Sequence, residues 1–167
     1  MVAAEEAKGN HSYPHKFQVS QSIPQYLKTY ENLKASEEMN NVTVSVAGRV
    51  MGMRAMSKNL RFYDIQADGA SVQFVANFSA FKMDGKGNKK QAFLEQHQNI
   101  RRGDIIGATG YPGKTKAGEL SVFATNTLLL SPCLRMLPSN THGHGITSQE
   151  TRYRQRYLDL ILRDKVC

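Results

Sequence analysis

At 167 residues, with 40% hydrophobic side chains, the chain has room for one domain with a core and short appendages, and not for two full-sized domains. No apolar run approaches the roughly 18 residues of a membrane-crossing helix, and the N-terminal MVAAEEAKGN lacks the apolar centre of a secretory signal, so the expectation is a soluble, cytoplasmic protein. The formal net charge of +8 points to a polyanionic partner, because Lys and Arg displace counterions along a phosphate backbone, although runs of charge also occur on ordinary solvated faces. Cys133 and Cys167 make neither a disulfide framework nor a zinc pattern.

Residues 1–40 read as a polar N-terminal extension ending in a short helix, PQYLKTYENLKASEE at 24–38, with Tyr26, Leu27, Tyr30 and Leu33 at helical spacing and Pro24 in the first turn. From Val42 the period becomes two: Val42, Val44, Val46, Gly48 and Val50 alternate with Thr43, Ser45, Ala47 and Arg49, which predicts a strand with one apolar face. A loop is expected over Met53–Asn59. Then come a second strand, LRFYDI, a turn at Asp68-Gly69, and a third strand, SVQFVAN at 71–77. KKQAFLEQHQNI at 89–100 reads as a helix with Phe93, Leu94 and His97 on one side, closed by Gly103. DIIGATG at 104–110 and ELSVFATNTLLL at 119–130 complete five strands around the turn PGKTKAG. This mainly β order, with a helix between strands three and four, predicts an OB-fold, a small and partly open barrel, over residues 41–132.

Residues 133–147, rich in Pro and Gly, read as a linker. A last helix is expected at 148–163, capped by Thr147 with Glu150, carrying Tyr153, Tyr157, Leu160 and Ile161 on one face and Arg152 and Arg156 one turn apart. Because the chain stops soon after opening that helix, residues 148–167 read as the start of a further domain.

An OB-fold binds oligonucleotides across its second and third strands and between the loops joining strands one to two and four to five. Alternation sends Tyr63, Ile65, Val72 and Phe74 inward, which leaves Phe62 and Gln73 outward on a shared surface. An outward aromatic beside an amide suits stacking a base and reading its edge, whereas the plainer alternative buries Phe62 under the N-terminal helix. Arg54 in the first loop and Glu119 past the fourth strand can converge on the same groove and bond base carbonyl and N–H groups. Lys114 and Lys116, in the turn between strands four and five, are candidates for phosphate contact.

The motifs GRV at 48–50, Arg54, RFYDI at 61–65, Gln73, RRGDIIG at 101–107, PGKTKAGELS at 112–121 and LLLSPCL at 128–134 together resemble the anticodon-binding domain of class II lysyl-tRNA synthetases. ETRYRQRYLDLI at 150–161 is similar to the entrance of that family's catalytic domain, and the segment Tyr13–Phe17 is similar to eukaryotic members. The resemblance implies that Phe62 stacks on the central anticodon uridine, that Arg54 and Gln73 hydrogen-bond it, and that Glu119 contacts the first anticodon base. It also implies a parent enzyme that joins lysine to tRNA(Lys) with ATP and Mg2+ and dimerises through its catalytic domain. This chain alone is then expected to be monomeric, to hold no cofactor and to catalyse nothing. Phe62, Arg54, Gln73 and Glu119 are shared with aspartyl and asparaginyl relatives; GKTKAGELS and RYRQRYLDLI carry the likeness to the lysine enzyme.

Other patterns carry less. Gly113-Lys114-Thr115 has Ala108 where a phosphate loop needs glycine, and a hairpin follows in place of a helix. His142 and His144 stand in a Gly-rich stretch without a Cys or carboxylate in register, so no metal site is expected. A generic single-strand binder and a protein-interaction module using the terminal helices remain the alternatives.

Overall fold

The computed structural model describes residues 13–14, 16–83, 87–138, 146 and 148–162. The chain divides into two compact units, residues 1–133 and 134–167. The first contains helix α1 (Ile23–Tyr30), strands β1 (Val44–Ser57), β2 (Leu60–Ala67) and β3 (Ala70–Asn77), helix α2 (Lys89–Gln98), and strands β4 (Ile105–Lys114) and β5 (Leu120–Ser131). The strands form a barrel in the order β1-β2-β3-β5-β4, and it is closed where an expectation of partial opening stood. Closure comes from a parallel pairing of Gln73–Ala76 with Ser121–Ala124; every other strand pair is antiparallel.

Alternation decides the two faces of the wall. Val44, Val46 and Val50 from β1, Tyr63 and Ile65 from β2, Val72 and Phe74 from β3, Ile106 from β4 and Val122 from β5 fill the interior. The hairpin between β2 and β3 turns at Asp68 and Gly69, whose φ of 53° and 73° are both left-handed, and Ala67 pairs with Ala70. Two positive φ values match the twist of the flanking strands, which is why Asp-Gly serves there. The first hairpin is longer than expected: β1 continues through residues 53–57, pairing Arg54 with Phe62 and Ser57 with Leu60. Residues assigned to a loop are therefore strand, kept there by the backbone ladder and not by an apolar pattern.

α1 opens with a capping box, Ser22 accepting from the Gln25 backbone N–H at 3.4 Å while Gln25 Oε1 accepts from the Ser22 N–H at 3.1 Å. Ile23 and Tyr26 are buried, and the Tyr26 hydroxyl donates to the Ser121 carbonyl at 2.8 Å, tying the helix to β5. The helix stops at Tyr30, well short of the expected residue 38. Lys114 Nζ takes the carbonyls of Glu31 and Leu33, both at 2.9 Å, and Ser36 follows with a left-handed φ of 63°. α2 has Asn88 as its cap and buries Phe93 and His97. It ends at Gln98 with Asn99 as its C-cap, so Gly103 is not its terminator; Gly103 belongs to the turn leading into β4, where its N–H reaches the Val50 carbonyl at 2.7 Å.

His97 is walled in by Tyr63, whose Oη lies 3.0 Å from Nδ1, and by the Phe93 ring, with a centroid separation of 4.5 Å. Burial, aided by the charge of Arg61, lowers the His97 pKa to about 4; burial likewise pushes Tyr63 up to about 12. Unfolded, the imidazole protonates near 6.5. Between pH 6.5 and 4 the unfolded chain holds the extra proton, so stability at neutral pH is lost progressively as pH falls through this window. Urea unfolding between pH 7 and 4 should show a loss of about 2–3 kcal/mol from this group. His97→Leu, which cannot titrate, should flatten the dependence, and a slope unchanged in that variant would assign it elsewhere.

In the second unit, helices α3 (Gln149–Arg154) and α4 (Arg156–Leu162) replace the single helix expected, with a break at Gln155, where φ is −118° and ψ is 54°. The cap is Ser148, its hydroxyl accepting from the Thr151 N–H at 3.4 Å, while Thr147 lies outside the described residues. Asp159 is buried and accepts from Arg152 Nε and Arg156 Nη1, each at 3.0 Å, which holds the two short helices together. Tyr153, Tyr157 and Leu160 are exposed. His142 and His144, and most of the expected linker, lie outside the described residues. Among the described residues no helix is long and apolar enough to cross a membrane.

Candidate nucleic-acid interface

Barrel register puts residues from four strands on one side of the wall. Phe62 sits on β2 between Arg54 of β1 and Val75 of β3, directly across the ladder from each. One step along, Asp64 stands opposite Gln73, and Gln73 opposite Ser121 of β5. Because directly paired residues share a face, Arg54, Phe62, Asp64, Gln73 and Ser121 line the same side of the wall. Phe62 is partly exposed, as an outward ring must be to meet a base, and is not sealed under a helix.

The polar groups form two connected sets. Gln73 Nε2 donates to Glu119 Oε2 at 2.9 Å, and the Ser121 hydroxyl donates to Gln73 Oε1 at 3.3 Å. Gln73 is 5% exposed and Ser121 fully buried, so the amide expected on an open surface is instead almost wholly covered, held between Glu119 and Ser121. Arg54 Nη2 donates to Asp64 Oδ1 at 3.3 Å, with the Arg54 side chain exposed and that of Asp64 partly so. Gly52, paired with Asp64, makes that contact possible: a Cβ there would fall 2.5 Å from Asp64 Oδ2. An exposed pair of this kind adds little to stability, about 0–1 kcal/mol, and leaves the guanidinium available to a ligand.

The structure therefore brings together Arg54, Phe62, Gln73 and Glu119, with one change of address, since Arg54 projects from strand β1 and not from a loop. It separates the two lysines. Lys116 is exposed in the turn at 115–118, whereas Lys114 donates to the chain following α1. Asp64 and Ser121 were not singled out from the sequence. Each lies two residues from a chosen one, Asp64 from Phe62 and Ser121 from Glu119, and in a strand that spacing returns to the same face. Among the described residues no group of three or more His, Cys, Asp or Glu is placed to hold a metal ion.

A closed five-stranded barrel with a helix between β3 and β4 and an aromatic–amide surface on β2 and β3 is the architecture of an OB-fold. Residues 44–130 match the tRNA anticodon family, described as an OB-fold nucleic acid binding domain. The chain belongs to that family. It is similar to lysine–tRNA ligase cla4 of Cladosporium cladosporioides, 43% identical over 165 residues covering 96% of this chain and 26% of that protein. A probable cytoplasmic lysine–tRNA ligase of Encephalitozoon cuniculi is 38% identical over 163 residues, 97% of this chain and 29% of that protein. The lysine–tRNA ligase of Thermotoga maritima is 36% identical over 157 residues, 94% and 29% respectively. The chain thus spans between 26% and 29% of the length of these relatives.

Proposed function

We propose that the chain is the anticodon-reading part of a lysine–tRNA ligase acting in the cytoplasm. On this reading Phe62 stacks on the central uridine of a UUU-type anticodon, Arg54 and Gln73 hydrogen-bond that base, and Glu119 contacts the first anticodon base. The observation that carries it is the clustering of a partly exposed Phe62 with Arg54, Gln73 and Glu119 on one outward face, within a domain of the matching family. Joining lysine to tRNA with ATP and Mg2+, and dimerisation, belong to the remaining length of such a ligase. Phosphate contact falls to Lys116 in preference to Lys114, whose ammonium already serves two carbonyls.

The test is a titration of the protein, at two salt concentrations, against a stem-loop with a UUU anticodon and one with its central uridine changed to cytidine. Preference for the uridine loop at both salts is the expected result, because base-edge contacts discriminate where phosphate contacts do not. Equal binding that disappears with salt would reduce the domain to a basic surface that grips any single strand.

A further inference from the structure

We propose that Glu119 and Ser121 lock the carboxamide of Gln73 in a single flip orientation, and that this lock, more than the amide itself, lets the surface tell uridine from cytidine. The inference deepens the reading of anticodon recognition and rests on it.

A carboxamide has two ends of nearly equal shape, a donating NH2 and an accepting oxygen, and a half-turn exchanges them. Which end faces which way is settled by its partners. The Glu119 carboxylate, 2.9 Å away, only accepts, so it selects the NH2 of Gln73. On the other side the Ser121 hydroxyl lies 3.3 Å from Gln73 Oε1 and 3.2 Å from the Glu119 carbonyl, with one proton to give. Sending that proton to the carbonyl would leave the hydroxyl oxygen to accept from a flipped amide, but the flip would set the amide oxygen of Gln73 against the Glu119 carboxylate. With the NH2 held by Glu119, the proton goes to the amide oxygen, and the bond to Ser121 completes the orientation that Glu119 selects.

Burial makes this preference consequential. Gln73 is 5% exposed and Ser121 is 0% exposed, so water cannot readily replace the bond between them. Ser121 is itself fixed, since its own carbonyl receives the Tyr26 hydroxyl at 2.8 Å and its backbone pairs with Gln73 in the parallel ladder that closes the barrel. Two functional groups of Gln73 remain unspent, the second N–H and the second lone pair of the oxygen, and they form a fork of fixed polarity. Uracil presents a carbonyl beside a ring N–H; cytosine presents an amino group beside a ring acceptor. A fork that cannot flip matches one of these sequences of donor and acceptor and opposes the other. A free amide would accept both. Ser121 is on this account a positioning residue that touches no base.

The experiment measures the ratio of affinities for the UUU loop and its central-cytidine counterpart in the wild type, Ser121→Ala and Glu119→Gln, with thermal melting of each protein alongside. Both loops share their first anticodon base, so any contact of Glu119 with that base cancels in the ratio. Glutamine at 119 can donate or accept and should release the flip; Glu119 is exposed, so this variant is expected to fold even if the buried Ser121→Ala does not. The expected result is a preference reduced about fivefold in each folded variant, the worth of one neutral hydrogen bond, with the cytidine loop gaining in Glu119→Gln. Unchanged preference in a folded Glu119→Gln would overturn the lock while leaving the anticodon reading intact. No preference in the wild type would overturn both.

Discussion

Phe62→Ala should weaken binding of a UUU stem-loop by roughly 5- to 150-fold, the equivalent of the 1–3 kcal/mol that a base gains by stacking on an aromatic side chain. Melting should change little, because the Phe62 ring is partly exposed and stands outside the apolar core cluster, whereas its neighbour Tyr63 is fully buried within that cluster. The ring's neighbours sharpen the expectation. Arg54 and Val75 flank Phe62 across the ladder, so the platform has a cation on one side and an aliphatic wall on the other. Truncation removes only the surface on which a base lies flat. The loss should also persist at raised salt, since stacking releases no counterions, in contrast to a phosphate contact. Affinity unaltered in Phe62→Ala would remove stacking from the proposed mode of recognition.

The faces of the barrel were legible because a strand has a period of two. Assigning Val72 and Phe74 inward beside Tyr63 and Ile65 left Phe62 and Gln73 outward without any knowledge of the turn beyond Asp68-Gly69. Arg54 was harder to place. Beyond Val50 the apolar alternation fades, with a register shift between Val50 and Gly52, yet β1 continues because β2 supplies a hydrogen-bonding partner residue by residue. The end of α1 depended on distance in sequence: Lys114 takes the carbonyl of Leu33 from 81 residues away, and no local pattern announces it. The same holds for Glu119 and Gln73, 46 residues apart and joined only once β3 and β5 lie parallel. Periodicity reports which way a side chain points. Which polar groups meet is decided by closure of the barrel, and a single sequence carries that signal weakly.

Asp104 illustrates the difference and carries a large expected effect on stability. By sequence it reads as no more than the first residue of a strand. In the structure it is 1% exposed, and its carboxylate accepts from the Arg101 N–H at 2.7 Å and the Cys133 N–H at 2.6 Å. Its own carbonyl receives the Val50 N–H at 2.8 Å. One residue thus ties the turn after α2 to the end of β5 and to β1, at the opposite end of β5 from Glu119 and Ser121. Hydrogen bonds to a charged group contribute about 1.5–3 kcal/mol each. Asp104→Ala should accordingly lower unfolding free energy by about 3–5 kcal/mol, read as a drop in the urea midpoint with the slope unchanged. Asp104→Asn should fall between, since one amide end would face an N–H with an N–H of its own. At temperatures where either variant stays folded, the preference for uridine over cytidine should be that of the wild type, because the clip lies away from the reading face. A loss below about 1 kcal/mol in Asp104→Ala would mean that water satisfies both N–H groups and that the barrel is held at this end by its strand ladder alone.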